Sequence, residues 1–241
     1  MINIVAIIQA RMGSTRFKGK VLKELYDKSL IEHIVERLNE SKLINKIVVA
    51  ITSNEEDNIL MDLLKKNNIK YYRGSESNVL ERYYFSALEN KADIIVRITA
   101  DDPFKDPIII DKAIQLMLDH KYDFVSNAIT PTYPEGIDVE IFTFDALKKA
   151  YNESTLNSEK EHVTPYFEKN PHLFKTYNFE YDTDLSDMRW TIDYEEDYEY
   201  AKKIYAKLYP VKKIFLMDDI LKLIEDDSSY EYIRSTKIKE G

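Results

Sequence analysis

The stretch INIVAIIQARMGSTRFKGK, Ile2 to Lys20, sets a nearly continuous apolar run against an abrupt basic loop. Ile2 to Ile8 has the pattern of a β-strand covered on both faces, as expected inside a parallel sheet. The ten residues from Arg11 to Lys20 hold Arg11, Arg16, Lys18 and Lys20 among Gly13, Ser14, Thr15 and Gly19, and no acid. In a chain of net charge -9 this is a local reversal of sign. The loop is neither G-x-x-x-x-G-K-[ST] nor G-x-G-x-x-G, yet its logic is that of a phosphate loop. Small residues let backbone N–H groups approach an anion while fixed cations neutralise it. A solvated basic turn is the plainer reading. The position directly after a buried first strand favours the phosphate, because ligands of open α/β sheets sit beyond the carboxyl ends of the strands.

Outward from this stretch the pattern repeats. Leu30 to Leu38 has helical spacing, Lys46 to Thr52 reads as a buried strand, Glu55 to Lys66 as a helix and Ile69 to Tyr72 as a short strand. Asn78 to Glu89 is helical, Asp93 to Ile98 is a fourth strand, and Asp106-Pro107 caps a helix that runs to about His120. Tyr122 to Ser126 is a fifth strand. Val139 to Phe142 and Phe174 to Tyr181 alternate like strands that can run antiparallel. Phe144 to Tyr151 and Glu195 to Leu208 are helical, and Asp218 can cap a last helix. The expected fold is α/β and Rossmann-like, a mostly parallel mixed sheet flanked by helices in a single domain.

Composition narrows the function. With 44% hydrophobic and 32% charged residues, the chain reads as an ordinary globular protein. The acidic balance argues against a broad grip on nucleic acid. No apolar run reaches the roughly 20 residues that span a bilayer, and no signal peptide is recognisable at the N-terminus. With no cysteine there is no disulfide, thiolate zinc site or cysteine nucleophile. These features lead to the expectation of a cytoplasmic protein with no membrane contact.

Residues just after strands carry the chemistry. Asp101 follows the fourth strand in Arg97-Ile98-Thr99-Ala100-Asp101-Asp102 and has no evident structural task, since Asp106 caps the next helix. A carboxylate there can hold Mg²⁺, which takes one or two protein carboxylates and completes its shell with phosphate and water. Asp193 closes the apolar stretch of Met188-Arg189-Trp190-Thr191-Ile192-Asp193 and is the second metal candidate. Glu195, Glu196 and Asp197 are read as negative charge suited to a helix start. His33, His120 and His172 lack zinc-ligand spacing. His162, in Glu161-His162-Val163-Thr164-Pro165, is the one histidine with a functional reading.

The ordered set IIQARMGSTR...GKVL, Arg73-Gly74-Ser75-Glu76, Val96-Arg97-Ile98-Thr99-Ala100-Asp101, Tyr133-Pro134-Glu135-Gly136-Ile137-Asp138-Val139-Glu140, Glu161-His162-Val163-Thr164-Pro165 and Arg189-Trp190-Thr191-Ile192-Asp193 resembles the cytidylyltransferases of the spore coat polysaccharide biosynthesis protein F type. These are relatives of the CMP-sialate and CMP-ketodeoxyoctonate synthetases. The resemblance runs from about Ile4 to about Leu208.

The resemblance implies that CTP is the nucleotide, bound by Ala10, Arg11, Gly13, Ser14, Thr15, Arg16 and Lys20. Thr52, Ser53, Arg73, Gly74 and Ser75 would face the base, and Asp101 and Asp193 would hold Mg²⁺. Arg97, Glu135, Asp138, Glu140, His162 and Arg189 would line the acceptor side. It also implies a homodimer, with an acceptor and dimer insertion at about 130–181. Two stretches depart from relatives: Phe17-Lys18 stands where many have Leu-Pro, and around the metal Asp Ala100 stands where Gly is common and Asp102 where Cys or Glu is common.

The implied reaction is in-line attack of an acceptor oxygen on the α-phosphorus of CTP, with pyrophosphate leaving toward Arg11, Arg16 and Lys20. A sugar phosphate or phosphonate needs no base. A keto sugar hydroxyl does, and His162 or water held by Asp193 would serve. Two other readings are a nucleotide-sugar-dependent glycosyltransferase and a non-catalytic nucleotide-binding protein. Asp101-Asp102 is not the D-x-D motif of the first, and Asp101, Asp193 and Lys20 together speak against the second.

Overall fold

The computed structural model describes residues 2–232. Its strands in chain order are β1 (Ile4–Gln9), β2 (Glu24–Leu25), β3 (Lys28–Ser29), β4 (Lys46–Thr52), β5 (Tyr71–Gly74), β6 (Ile94–Thr99), β7 (Phe124–Ser126), β8 (Glu140–Thr143) and β9 (Thr176–Asn178). The helices are α1 (Leu30–Leu38), α2 (Asn58–Lys66), α3 (Val79–Glu89), α4 (Pro107–His120), α5 (Phe144–Glu153), α6 (Asn157–His162), α7 (Pro165–Lys169), α8 (Glu195–Leu208) and α9 (Met217–Asp226). Seven strands form one sheet in the order β5-β4-β1-β6-β8-β7-β9. β1, β4, β5 and β6 pair in parallel, and β8 runs antiparallel to both β6 and β7. β2 and β3 make a separate small hairpin.

The sheet is buried on both faces, and the strand period of two explains how. In β1, Ile4, Ala6 and Ile8 face one core, which also takes residues from α1, α4, α8 and α9. Val5 and Ile7 face the other, with residues from α3, α5 and α7. Caps fix the helices: Ser29 and Glu32 form a capping box on α1, and Asp106 accepts the Ile108 N–H at 2.8 Å above Pro107. Among the described residues no helix is long and apolar enough to cross a membrane.

Several expectations are corrected. Phe174 to Tyr181 shrinks to the three residues of β9, which pairs parallel with β7. Glu55–Asp57 form a separate 3-10 turn before α2. Asp218 does not cap α9; Leu216 occupies that position and donates its N–H to Asp219 at 2.7 Å. The hairpin and the short helices α6 and α7 had no expectation, because two-residue strands and the polar run of α6 lack a readable period.

Candidate active site

The carboxyl ends of β1, β4 and β6 lie side by side, and the basic loop leaves from the first of them. Ala10 is buried and continues the ladder by donating its N–H to the Ala50 carbonyl at 3.1 Å. The chain then folds on Met12, whose carbonyl accepts the N–H groups of Ser14 at 2.9 Å and Gly19 at 3.1 Å. Gly19 makes this closure with φ 68, a left-handed angle that costs glycine little. Ser14 accepts the Phe17 N–H at 3.4 Å. Gly13 is half-buried, and Thr15 and Arg16 are exposed. Phe17 sets its ring 5.7 Å from that of Tyr198, which anchors the loop on α8.

The base-side residues divide. Asp57 is fully buried and joins the loop to β4: it accepts the Met12 N–H at 2.7 Å, the Thr52 N–H at 2.9 Å and the Thr52 hydroxyl at 2.5 Å. Arg73 is spent on the turn after β4, donating to the carbonyls of Thr52 at 3.0 Å and Asn54 at 2.8 Å. Ser53 donates its N–H to the Gly74 carbonyl at 2.9 Å, and the Ser75 carbonyl accepts from Arg82. Arg11 pairs with Glu76 at 3.1 Å, and Glu76 also accepts from Asn54 at 2.6 Å. These residues frame a rim of backbone at the ends of β4 and β5.

Lys20 is the centre of the opposite rim. Its Nζ donates to Asp101 Oδ2 at 3.0 Å, to Asp193 Oδ1 at 3.1 Å and to the Ile192 carbonyl at 2.7 Å. All three N–H groups of the ammonium are used. Asp193 also accepts from Arg16 at 3.1 Å and from Arg189 at 2.8 Å. Burial works to raise the Asp193 carboxyl, but Lys20, Arg189 and Arg16 outweigh it and hold the group below its ordinary value. The Asp101 side chain is 29% exposed, against 13% for Asp193 and 10% for Lys20, so Asp101 is the open side of the cluster.

Backbone contacts create this meeting. Ile192 donates its N–H to the Asp101 carbonyl at 2.8 Å, which lays the segment of Asp193 along the end of β6. Glu135 and Arg189 form a parallel bridge, closed by the Glu135 N–H on the Met188 carbonyl at 2.9 Å and the Trp190 N–H on the Glu135 carbonyl at 2.7 Å. Gly136, at φ 103, permits the approach: a Cβ there would stand 2.8 Å from the Trp190 carbonyl carbon. Arg189 also pairs with the Glu135 carboxylate.

Beyond Asp101 is a small cavity of about 100 Å³ lined by Arg97, Thr99, Asp102, Lys105, Asp138 and Glu140, with Ala128. Arg97 lies opposite Glu140 in the β6–β8 register and pairs with it. Lys105 pairs with Asp102 at 2.8 Å and donates to the Asp138 carbonyl. Burial pushes the Asp138 carboxyl up to about 6, against the opposing pull of Lys105. His162 is exposed at the end of α6, and among the described residues no hydrogen bond joins its imidazole to this cavity or to the Lys20 cluster. Its carbonyl instead accepts the Thr164 N–H at 2.8 Å around Val163, whose φ of 71 is unusual for a β-branched residue. A larger groove of about 540 Å³ lies at the far end of the sheet, where β4 begins, with Lys28, Glu32, Glu36 and Lys46 on its walls. It lies away from the strand ends where Asp101 and Lys20 meet.

A family model described as Cytidylyltransferase matches residues 5–223. The chain belongs to the cytidylyltransferase family. It is 36% identical over 216 residues to the spore coat polysaccharide biosynthesis protein SpsF of Bacillus subtilis, covering 86% of this chain and 88% of that one. A 3-deoxy-manno-octulosonate cytidylyltransferase of Trichlorobacter lovleyi is 35% identical over 117 residues, 48% of this chain and 45% of its own. A solved cytidylyltransferase from Leptospira borgpetersenii superposes with a TM-score of 0.91 at 34% identity and 99% coverage of both chains. The cytidylyltransferase is therefore an enzyme whose fold and family both agree with the sequence reading. Asp57, Asp102, Lys105 and Asp197 were not among the expected site residues; their engagement depends on partners distant in sequence.

Proposed function

We propose that this cytidylyltransferase joins CMP from CTP to a sugar acid, sugar phosphate or related small acceptor, releasing pyrophosphate, in cell-surface polysaccharide biosynthesis. The names of the SpsF and 3-deoxy-manno-octulosonate relatives support the pathway class and the acceptor class. The observation that carries the reading is the convergence of Lys20, Asp101 and Asp193 beside the basic loop at the carboxyl ends of β1 and β6.

Mg²⁺ fits this donor set, because the two carboxylates already stabilise one cation, the Lys20 ammonium, at a partly open position. Asp101 and Asp193 would hold the ion, which when bound supplies charge neutralisation at the α-phosphate. Lys20 has no donor left for a phosphate while it bridges the carboxylates. To meet a triphosphate its ammonium must leave them, so Lys20 has two working positions. Arg16, already turned toward Asp193, and Arg11, on the opposite rim, would bind the remaining phosphate charge.

On the acceptor side the proton task moves from His162 to Asp138. His162 is exposed at the end of α6 with no hydrogen bond to this cavity among the described residues, whereas Asp138 lines the cavity next to Asp101's strand end and carries a carboxyl raised toward neutrality. Arg97 and Glu140 would bound the acceptor. The test is pyrophosphate release with each of the four nucleoside triphosphates, Mg²⁺ and a panel of keto sugar acids, sugar phosphates and phosphonates. Release with CTP and a sugar acid or phosphate is expected; transfer of a sugar from a nucleotide sugar, with no pyrophosphate from any pair, would overturn the reading.

A further inference from the structure

Asp197 stands at the third position of α8, where an acidic residue ordinarily does no more than cap the helix. One of its oxygens does cap, accepting the Tyr194 N–H at 2.9 Å. The same oxygen accepts the Asp193 N–H at 2.8 Å. The other oxygen turns away from the helix and accepts from Arg189 Nε at 3.4 Å and from the Tyr232 hydroxyl at 3.1 Å. Asp219 holds the equivalent place on α9, yet its side chain is 33% exposed and besides the cap it pairs with the surface Lys212. The Asp197 side chain is 2% exposed. A buried carboxylate is costly unless its lone pairs are satisfied, and here donors from four residues satisfy it.

Two of those donors belong to residues of the candidate site. Asp197 fixes the backbone of Asp193 and the guanidinium of Arg189, while Arg189 in turn holds Asp193 Oδ2. The three residues form a closed ring of contacts around one rotamer of Asp193. We propose that Asp197 is a positioning residue that orients the Asp193 carboxylate for the metal. The proposal rests on the reading of Asp101 and Asp193 as metal ligands, and it adds a partner that sequence reading had assigned to helix electrostatics alone.

The experiment is titration of Mn²⁺ by electron paramagnetic resonance in the presence of CTP, on the wild-type chain, Asp193→Asn and Asp197→Asn, with CTP affinity measured in parallel without metal. Asp197→Asn should weaken Mn²⁺ about 10–100-fold, as loss of an outer-shell partner commonly does, and Asp193→Asn, which removes a ligand, should weaken it at least as much. Metal-free CTP affinity should stay within about twofold, since a merely structural lesion in α8 would lower both. Wild-type Mn²⁺ affinity in Asp193→Asn would overturn the metal reading and this proposal together. Weak binding in Asp193→Asn with wild-type affinity in Asp197→Asn would overturn this proposal alone. If Asp197→Asn does not fold, Tyr232→Phe decides: it removes one donor from the same carboxylate, a two- to fivefold loss of Mn²⁺ affinity supports the positioning role, and wild-type affinity overturns it.

Discussion

Two charged clusters flank the end of β6, and they are built on different terms. On one side Lys20 bridges Asp101 and Asp193, with Asp101 open to solvent and Arg16 reaching in from an exposed loop. On the other, Arg97 and Glu140 are cross-strand neighbours, and Lys105 is enclosed by Asp102 and the Asp138 carbonyl. The first cluster can exchange partners, because its cations hang from a loop and a half-open edge. The second is set in the sheet and in the turn before α4, so it can select a ligand without rearranging. A nucleotidyl transfer site needs both behaviours: one region that takes up and releases a highly charged group, and one that holds the acceptor still.

The largest expected effect falls on the exchanging cluster. Asp101→Asn should lower turnover by about 10³-fold, comparable to removing a strong electrostatic contact at a reacting centre. Steady-state pyrophosphate release checks the rate, and an unchanged melting temperature checks that the fold is intact. Turnover near wild type would remove Asp101 from the metal site.

The fixed cluster should answer in stability instead. Glu140→Gln leaves the Arg97 charge enclosed without its partner and should cost about 3 kcal/mol, or about 6–12 °C in melting temperature for a chain of this size. Arg97→Met combined with Glu140→Leu should recover most of that loss, since an apolar pair leaves no charge stranded. Thermal unfolding of the three chains separates a fixed pair from an exchangeable one.

Lys20→Ala sharpens the contrast further. Turnover should fall about tenfold, while Mn²⁺ binding without nucleotide should strengthen, because the ammonium no longer competes for the two carboxylates. A weaker metal affinity in this variant would show that Lys20 and the metal do not share a place.

The smallest effect is in pH. Asp138, raised to about 6, works as a base only when ionised, so activity with a hydroxyl acceptor should rise through pH 6 and flatten in Asp138→Asn. The stability contribution has the opposite sign. The folded state keeps the extra proton between the unfolded value of about 3.9 and about 6, so this group's contribution to stability declines as pH climbs across that window. Paired rate and melting profiles from pH 4 to 8 test both.

The two regions were also unequally legible. β1, β4 and β6 could be read because strands buried on both faces are apolar at nearly every position, and the place of Asp101 and of the basic loop beyond the strand ends could be read with them. Asp57 and Asp197 could not, since each ends an acidic triplet in which Glu55-Glu56 and Glu195-Glu196 look identical to it. Only burial and long-range donors tell the third carboxylate from the first two. In the motif that holds His162, the imidazole stands exposed at the end of α6, while the neighbour Val163 carries a conformational peculiarity that no residue type announces. β9 was overextended because Phe174 and Phe179, which flank it, are buried through loop packing.

The hydrogen bonds that lay Thr191 and Ile192 on the Asp101 carbonyl have a consequence for how the chain comes of age. Ninety residues separate Thr191 from Asp101, and 173 separate Lys20 from Asp193. Loop closure over such spans comes late, after the locally paired parallel strands have formed. During synthesis, the basic loop and Asp101 emerge long before the segment that completes them. A partly made or truncated chain therefore presents the basic loop and Asp101 without Asp193, and the cluster around Lys20 is complete only when the segment that carries Asp193 has docked.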